Sequence, residues 1–444
     1  MRPSEDTVLK KLLIAVVALG CLGLVGFGVF AWEPAIAPIV PPAAESFAPE
    51  LVAKGEALAG GGYCAACHTA KGGRTFAGGY AMATPFGVIY STNITPDPET
   101  GIGNWSEAAF ARATREGVSR DGSHLLPVFS FDHFTKLSDD DVRALYAYFM
   151  TRAPVHAPAR PNGIPFPFNI RYLQAGWKLL YFRPGRFEPN PEKTAEWNRG
   201  AYLAQGLSHC GACHTPRNLL GAEKPGDLYG GAVIDNWVAP ALTAANPAPA
   251  PWTREELYDY LRTGTSVLHG TAAGPMFPVV QGLAALPDSD VRAIATYFAD
   301  VDKAADRAPS ISAAAVSHAM SDASVRTGEH FDPDDEPDAR LYTAACASCH
   351  YNAGSTPLAV RPDLALNSAV HLSDPSTLIQ VILRGISAKE GMPGVVMPAF
   401  GGALSDADVA RIAAYLRRTR TNLPPWPDLW AKVAEIRRQQ TAAN

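Results

Sequence analysis

The chain has little cysteine and no concentrated positive charge. Of its seven cysteines, six stand in three Cys-x-x-Cys pairs and the seventh, Cys21, lies inside an apolar run, so no thiols remain for a disulfide framework. The net charge of -5, without a basic stripe, excludes nucleic acid as a partner. No phosphate-cradling glycine loop in strand and helix context, zinc-binding helix or nucleophile elbow is present, and GGGY at 60–63 reads as a turn. At 444 residues the chain exceeds what one core supports, and an apolar fraction of 47% is ample for about two to four domains.

Long apolar runs are also scarce. The exception is Leu12 to Ala31, twenty residues without a charge. That length spans a bilayer core, whereas secretory apolar segments are shorter and end at a cleavage site. Lys10 and Lys11 precede the run and Glu33 follows it, so the basic side is expected to stay in the cytoplasm. Residues 1–32 then form a membrane anchor, with a cleaved signal as the alternative, and the rest faces the periplasm from the inner membrane.

The pattern CxxCH occurs at 64–68 (CAACH), 210–214 (CGACH) and 346–350 (CASCH), at intervals of 146 and 136 residues. One copy could be half a zinc site or a redox dithiol; three at domain-sized spacing require a common cause. Each copy is followed at a distance by a helix-like segment: LSDDDVRALYAYF from 137, LPDSDVRAIATYF from 286 and LSDADVARIAAYL from 404. Ser or Pro before an acidic cluster suits a helix start. Between these landmarks lies another helix, ending at Gly117, Gly264 and Gly385, glycine being common just past a helix end. Segments at 33–49, 154–191 and 304–337 are read as linkers, the middle one carrying the apolar, aromatic stretch IRYLQAGWKLLYF.

Two thiols separated by two residues can add to both vinyl groups of haem, and the following histidine then meets the iron as a neutral imidazole. On this reading Cys64, Cys67 and His68 hold one haem, Cys210, Cys213 and His214 a second, and Cys346, Cys349 and His350 a third: three covalently bound haem c groups. Counting twelve residues on from Gly264 reaches Met276, and the same count from Gly385 reaches Met397. A thioether opposite the histidine raises the potential, as in electron-transfer cytochromes. Met392 lies close to Met397 but breaks that register.

From Gly117 the count reaches Phe129, which cannot bind iron. His124 and His133 flank it and are the candidate sixth ligands of the first haem, ahead of Met82; with no donor the iron would be open, and the chain could be a haem enzyme acting on a small ligand. The tail PPWPDLWAKVAEIRRQQ can form an amphipathic helix with Trp426, Leu429, Trp430, Val433 and Ile436 on one side. That pattern suits a membrane interface, a partner or the chain's own body.

TPFGVIYSTNITPDPETGIGNW at 84–105, SHCGACHTPRNLLGAEK from 208, and the GPM and MPAF loops resemble the three-haem cytochrome c subunits of bacterial membrane-bound dehydrogenases. The resemblance covers most of the chain after the anchor. It implies an all-α fold of three tandem class I cytochrome c domains, at 46–153, 191–303 and 336–420, with an N-terminal transmembrane or signal helix and a tail at 421–444. It also implies electron relay from a catalytic dehydrogenase subunit, with a small iron-sulfur subunit, to ubiquinone. Members serving quinoprotein or flavoprotein subunits carry methionine in the first loop, in a Pro-Ala-Met-Pro-Tyr setting. Here the loop reads Pro127-Val128-Phe129-Ser130-Phe131, which is similar to cytochromes accompanying molybdenum hydroxylases. The resemblance therefore favours an aldehyde dehydrogenase complex over an alcohol or sugar dehydrogenase.

Overall fold

Helices begin where a hydroxyl side chain can satisfy the free amides of a first turn. Ser106, Ser138, Thr194, Thr253 and Ser405 each accept a hydrogen bond from the backbone three residues on, and Ser405 completes a capping box with Asp408. Helices end at glycine: Gly117 and Gly264 are left-handed, and Gly385 has a φ of 70°. A Cβ on Gly117 would lie 2.4 Å from the Phe131 ring, so the position needs glycine for space as well as for φ.

The computed structural model describes residues 5–304, 337–350, 362–387 and 397–443. Most of the linker expected at 304–337, and Met392, lie outside them. Contacts group the chain into two units: Met1–Gly55 with Cys67–Arg186, and Glu56–Ala66 with Phe187–Asn444.

Within both units an opening helix crosses a closing helix in the same way. The opening helices are Pro49–Gly61, Ala195–Tyr202 and Pro337–Tyr342; the closing ones are Asp139–Met150, Asp288–Val301 and Asp406–Arg420. Close approach rests on small residues. A Cβ on Gly55 would sit 2.0 Å from the carbonyl oxygen of Ala144, and one on Gly200 would sit 1.9 Å from that of Ala293. Ala339, fully buried, stands in the third crossing. The residue before each small one makes an ion pair to the closing helix: Lys54 to Asp141 at 2.6 Å, Arg199 to Asp290 at 2.7 Å, and, with the charges exchanged, Asp338 to Arg411 at 2.7 Å. Aromatic rings fill the space beside the first two crossings, with Phe76 against Phe149 and Tyr229 against Phe298.

The helical expectation needs one addition. Among the described residues, three two-stranded antiparallel pairs occur: Ala81–Thr84 with Gly87–Tyr90, Ala232–Ile234 with Trp237–Ala239, and Thr265–Ser266 with Gly270–Thr271. The middle hairpin turns on Asp235 and Asn236, both at positive φ, the conformation that suits strand twist.

In the first unit, the helix Glu5–Ala31 contains a 23-residue span, Leu9–Ala31, long and apolar enough to cross a membrane. The segment after it is bonded along the unit. Ile36 donates to the Arg120 carbonyl at 2.8 Å, and Arg112 donates to that of Pro34 at 2.7 Å. The expected 33–49 linker is thus a stitched strap. The apolar stretch at 170–182 forms the helix Leu173–Tyr181, whose Gly176 faces Phe27 of the long helix.

In the second unit the C-terminal tail folds onto its own body, which settles the choice left open for it. Trp426, Val433 and Ile436 are buried in a core with Ile379 and Leu416, and Arg437 pairs with Asp406. Trp430 remains exposed.

The crossing predicts a selective cost. Gly200→Ala should lower stability by about 1–3 kcal/mol through overpacking, whereas Gly226→Ala, where nothing lies within 4 Å, should not. Denaturant midpoints measure this; equal midpoints for the two variants would contradict the crossing geometry.

Candidate haem sites

Each CxxCH motif forms a short helical turn. Cys64–His68 and Gly211–His214 are helical, and the third motif begins inside a π-helical segment, Thr343–Ala347, and continues as the helical turn Ser348–His350. Tyr63 and His209, immediately before the first cysteines of two motifs, share an unusual positive φ of 37° and 31°. Their side chains meet, with the Tyr63 hydroxyl 2.6 Å from Nδ1 of His209. The preceding glycines allow this approach: a Cβ on Gly60 would lie 2.4 Å from Ala285, and Ser208 Oγ donates to the Gly61 carbonyl at 2.9 Å. The GGGY segment is the expected turn, and it also serves as a packing surface.

The histidines share a stronger feature. Nδ1 of His68 donates to the Thr92 carbonyl at 2.7 Å, Nδ1 of His214 to that of Pro240 at 2.7 Å, and Nδ1 of His350 to that of Pro362 at 3.4 Å. A carbonyl can only accept, so Nδ1 carries the proton and Nε2 presents a lone pair. Burial holds all three imidazoles below the usual histidine pKa, so they are neutral near pH 7. A metal-binding histidine needs this tautomer. Burial also pushes the Cys210 thiol up to about 12 and the Cys346 thiol to about 11. Neutral thiols fit addition to vinyl groups and do not fit an activated redox dithiol.

In the second unit a single cavity of about 2110 Å³, open mouth included, is lined by Cys210, Cys213, His214 and Met276 and also by Cys346, His350 and Met397. Two apolar residues of the wall, Leu242 and Leu364, each stand two residues beyond a histidine-binding carbonyl, as Ile94 does in the first unit.

Met276 begins the helix Met276–Leu283, and Met397 is paired with Ile386 through two backbone hydrogen bonds. The twelve-residue count and the hydrogen-bond register differ here. Val118 pairs with His124 and Thr265 with Thr271, six residues on, whereas Ile386 pairs with Met397, eleven on. The third bridge encloses five more residues than the other two.

In the first unit Phe129 packs its ring 5.4 Å from that of Phe134. His124 is buried with both ring nitrogens engaged: Nε2 donates to the Ala31 carbonyl at 2.8 Å, and Nδ1 accepts from the Lys178 ammonium at 3.0 Å. His133 is buried in the short helix Phe131–Phe134, and Met82 packs beside Ile89, Leu126 and Ile164. Lys178 donates further to the carbonyls of Glu116 and Gly117, at the end of the helix Glu107–Glu116.

The carbonyls of Thr92, Pro240 and Pro362, the Tyr63–His209 pair and Lys178 were not singled out from sequence. The carbonyls had a signal in the recurring segments STNI, APAL and RPDL.

A CxxCH turn whose histidine is fixed by a backbone carbonyl, beside an apolar wall, defines a c-type cytochrome. Residues 52–153 match the family described as cytochrome c, and residues 334–416 match cytochrome c oxidase, cbb3-type, subunit III. The chain is 37% identical over 399 residues to the fructose dehydrogenase cytochrome subunit of Gluconobacter japonicus, covering 85% of this chain and 81% of that one. It is 35% identical over 402 residues to the alcohol dehydrogenase (quinone) cytochrome c subunit of Komagataeibacter europaeus, covering 87% and 84%. It is 47% identical over 409 residues to one of the nicotinate dehydrogenase subunits of Pseudomonas putida, covering 91% of this chain and 33% of that longer one. The chain belongs to the family of dehydrogenase cytochrome c subunits.

Burial, with a smaller push from the Arg112 cation, holds Lys178 down to about 8 against the opposing pull of Glu33 and Glu116. Its folded pKa is below its unfolded value of about 10.4, so the unfolded state binds more protons between the two, and stability should rise with pH across that window. Thermal unfolding of the first unit should show a rise from pH 8 to 10 that Lys178→Gln lacks; parallel pH profiles would contradict it.

Proposed function

We propose that this chain is the electron-transfer subunit of a membrane-bound dehydrogenase, with three covalently attached haems passing electrons from a catalytic subunit to ubiquinone at the periplasmic side of the inner membrane. The observation that carries the reading is the threefold recurrence of a CxxCH histidine donating through Nδ1 to a backbone carbonyl. Bound haem supplies reversible one-electron iron chemistry; the protein supplies attachment, axial ligands and exclusion of water. Cys64 and Cys67, Cys210 and Cys213, and Cys346 and Cys349 are the attachment pairs. His68, His214 and His350 are the proximal ligands, and the domains are those at 46–153, 191–303 and 336–420.

Met276 and Met397 are the sixth ligands of the second and third haems. For the first, His133 and His124 stand together ahead of Met82; both nitrogens of His124 are engaged by Ala31 and Lys178 and would have to give up a partner to bind iron. Residues 1–32 are retained as an anchor. Ala31 is fully buried and, with Pro34 and Ile36, is bonded to the first unit. In the near infrared, Met276→Ala and Met397→Ala should each remove one of two methionine-to-iron bands. Three such bands in the unmodified protein would contradict this ligand set.

For the catalytic partner, Phe129 in place of the usual first-loop methionine favours a molybdenum-dependent aldehyde dehydrogenase working with a small iron-sulfur subunit. A quinoprotein or flavoprotein partner is the second reading, supported by relatives such as the fructose and alcohol dehydrogenase subunits, of which this chain covers 81% and 84%. Purifying the native complex from membranes and identifying the cofactor of the co-eluting large subunit decides between them. Molybdenum is expected, and a quinone or flavin cofactor would overturn the preferred partner.

A further inference from the structure

The loops that follow the helix-ending glycines differ in what they carry, and the second presents an imidazole to the cofactor cavity. His269 lies between the strands Thr265–Ser266 and Gly270–Thr271, is buried, and lines the same cavity as His214 and Met276. Three contacts hold it there. Its ring stacks on Trp252, with centroids 3.7 Å apart and planes within 15°. Its backbone amide donates to Ser266 Oγ at 3.2 Å, and that hydroxyl is itself bonded to Glu256 on the preceding helix. The next residue, Gly270, has a φ of 95° and leaves no room for a Cβ beside the Asn367 amide.

Fixing a ring by stacking, by its own backbone and by a glycine turn removes its freedom to reorient before any ligand arrives. The wall around it is mostly apolar, with Leu257, Leu261 and Val279 among its residues. In such surroundings a hydrogen bond from a ring N–H to an anion is stronger than in water. Haem is an apolar disc with two carboxylates at its rim, and those carboxylates are its anionic groups. Met276, seven residues on, already occupies the sequence position that suits an axial ligand.

We propose that His269 is a positioning residue of the second haem, donating a ring N–H to one of the cofactor's carboxylates and thereby fixing its seating and raising its potential. This rests on the haem reading of the Cys210–His214 motif. Hydrogen bonding and local charge are among the levers that set such potentials, and an uncompensated carboxylate favours the oxidised iron.

The test is a spectroelectrochemical titration of the full-length, haem-loaded protein beside His269→Phe, which keeps the stack and loses the donor, and His269→Gln, which keeps a donor. The second haem is assigned as the one whose near-infrared band disappears in Met276→Ala. His269→Phe should shift that haem's redox equilibrium about tenfold toward the oxidised form, about 59 mV for one electron. The other two haems should not move, and His269→Gln should recover most of the shift. The proposal is overturned if no potential moves, if Gln shifts the haem as far as Phe, or if either variant abolishes the methionine band, which would make His269 part of the ligand loop itself. Peptide mass analysis lacking haem on Cys210 and Cys213 would instead overturn the underlying haem reading.

Discussion

The structure depends on one hydrogen bond made three times, from Nδ1 of the CxxCH histidine to a backbone carbonyl further along the chain. The bond chooses the tautomer, so Nε2 presents a lone pair. It also ties the cysteine turn to the segment that forms the cavity wall, placing Leu242 and Leu364 where an apolar cofactor would lie. Crossed helices frame that arrangement. The small residues at Gly55, Gly200 and Ala339 let the helices approach, and the ion pairs beside them hold the crossing angle. Partly exposed pairs of this kind contribute little energy singly, so the glycines matter more than the charges.

Repetition of the frame leaves the loops free to diverge. After Gly117 the loop turns toward the strap that follows the long apolar helix: Arg120 bonds to Ile36, and His124 to Ala31. After Gly264 it presents His269 to the cavity, and after Gly385 it is longer and pairs Met397 directly with Ile386. The first loop has thus given its histidine to the anchor. That engagement sets the first loop apart from the other two.

The helical frame was legible because its punctuation is chemical: Ser138 and Ser405 cap, Gly117 and Gly264 terminate, and the apolar periodicity between them has one solution. The candidate ligands were legible because a CxxCH turn and a methionine in the matching loop carry that chemistry in their side chains. Backbone acceptors carry no side-chain signature, so the carbonyls of Thr92, Pro240 and Pro362 were missed although they fix the histidines. The tail was ambiguous because Trp426, Val433 and Ile436 would face a bilayer or a protein core equally well, and only packing against Ile379 and Leu416 decides it. His124 looked like a free donor until Lys178 and Ala31, distant in sequence, were found on its two nitrogens.

The central claim is that the same histidine-carbonyl geometry builds three covalent haem sites in one anchored chain. The intact mass of the protein purified from membranes tests it most directly. The account predicts the full-length polypeptide, residues 1–32 included, plus three haem groups. A mass corresponding to two haems, or to a chain cleaved after the apolar helix, would contradict it.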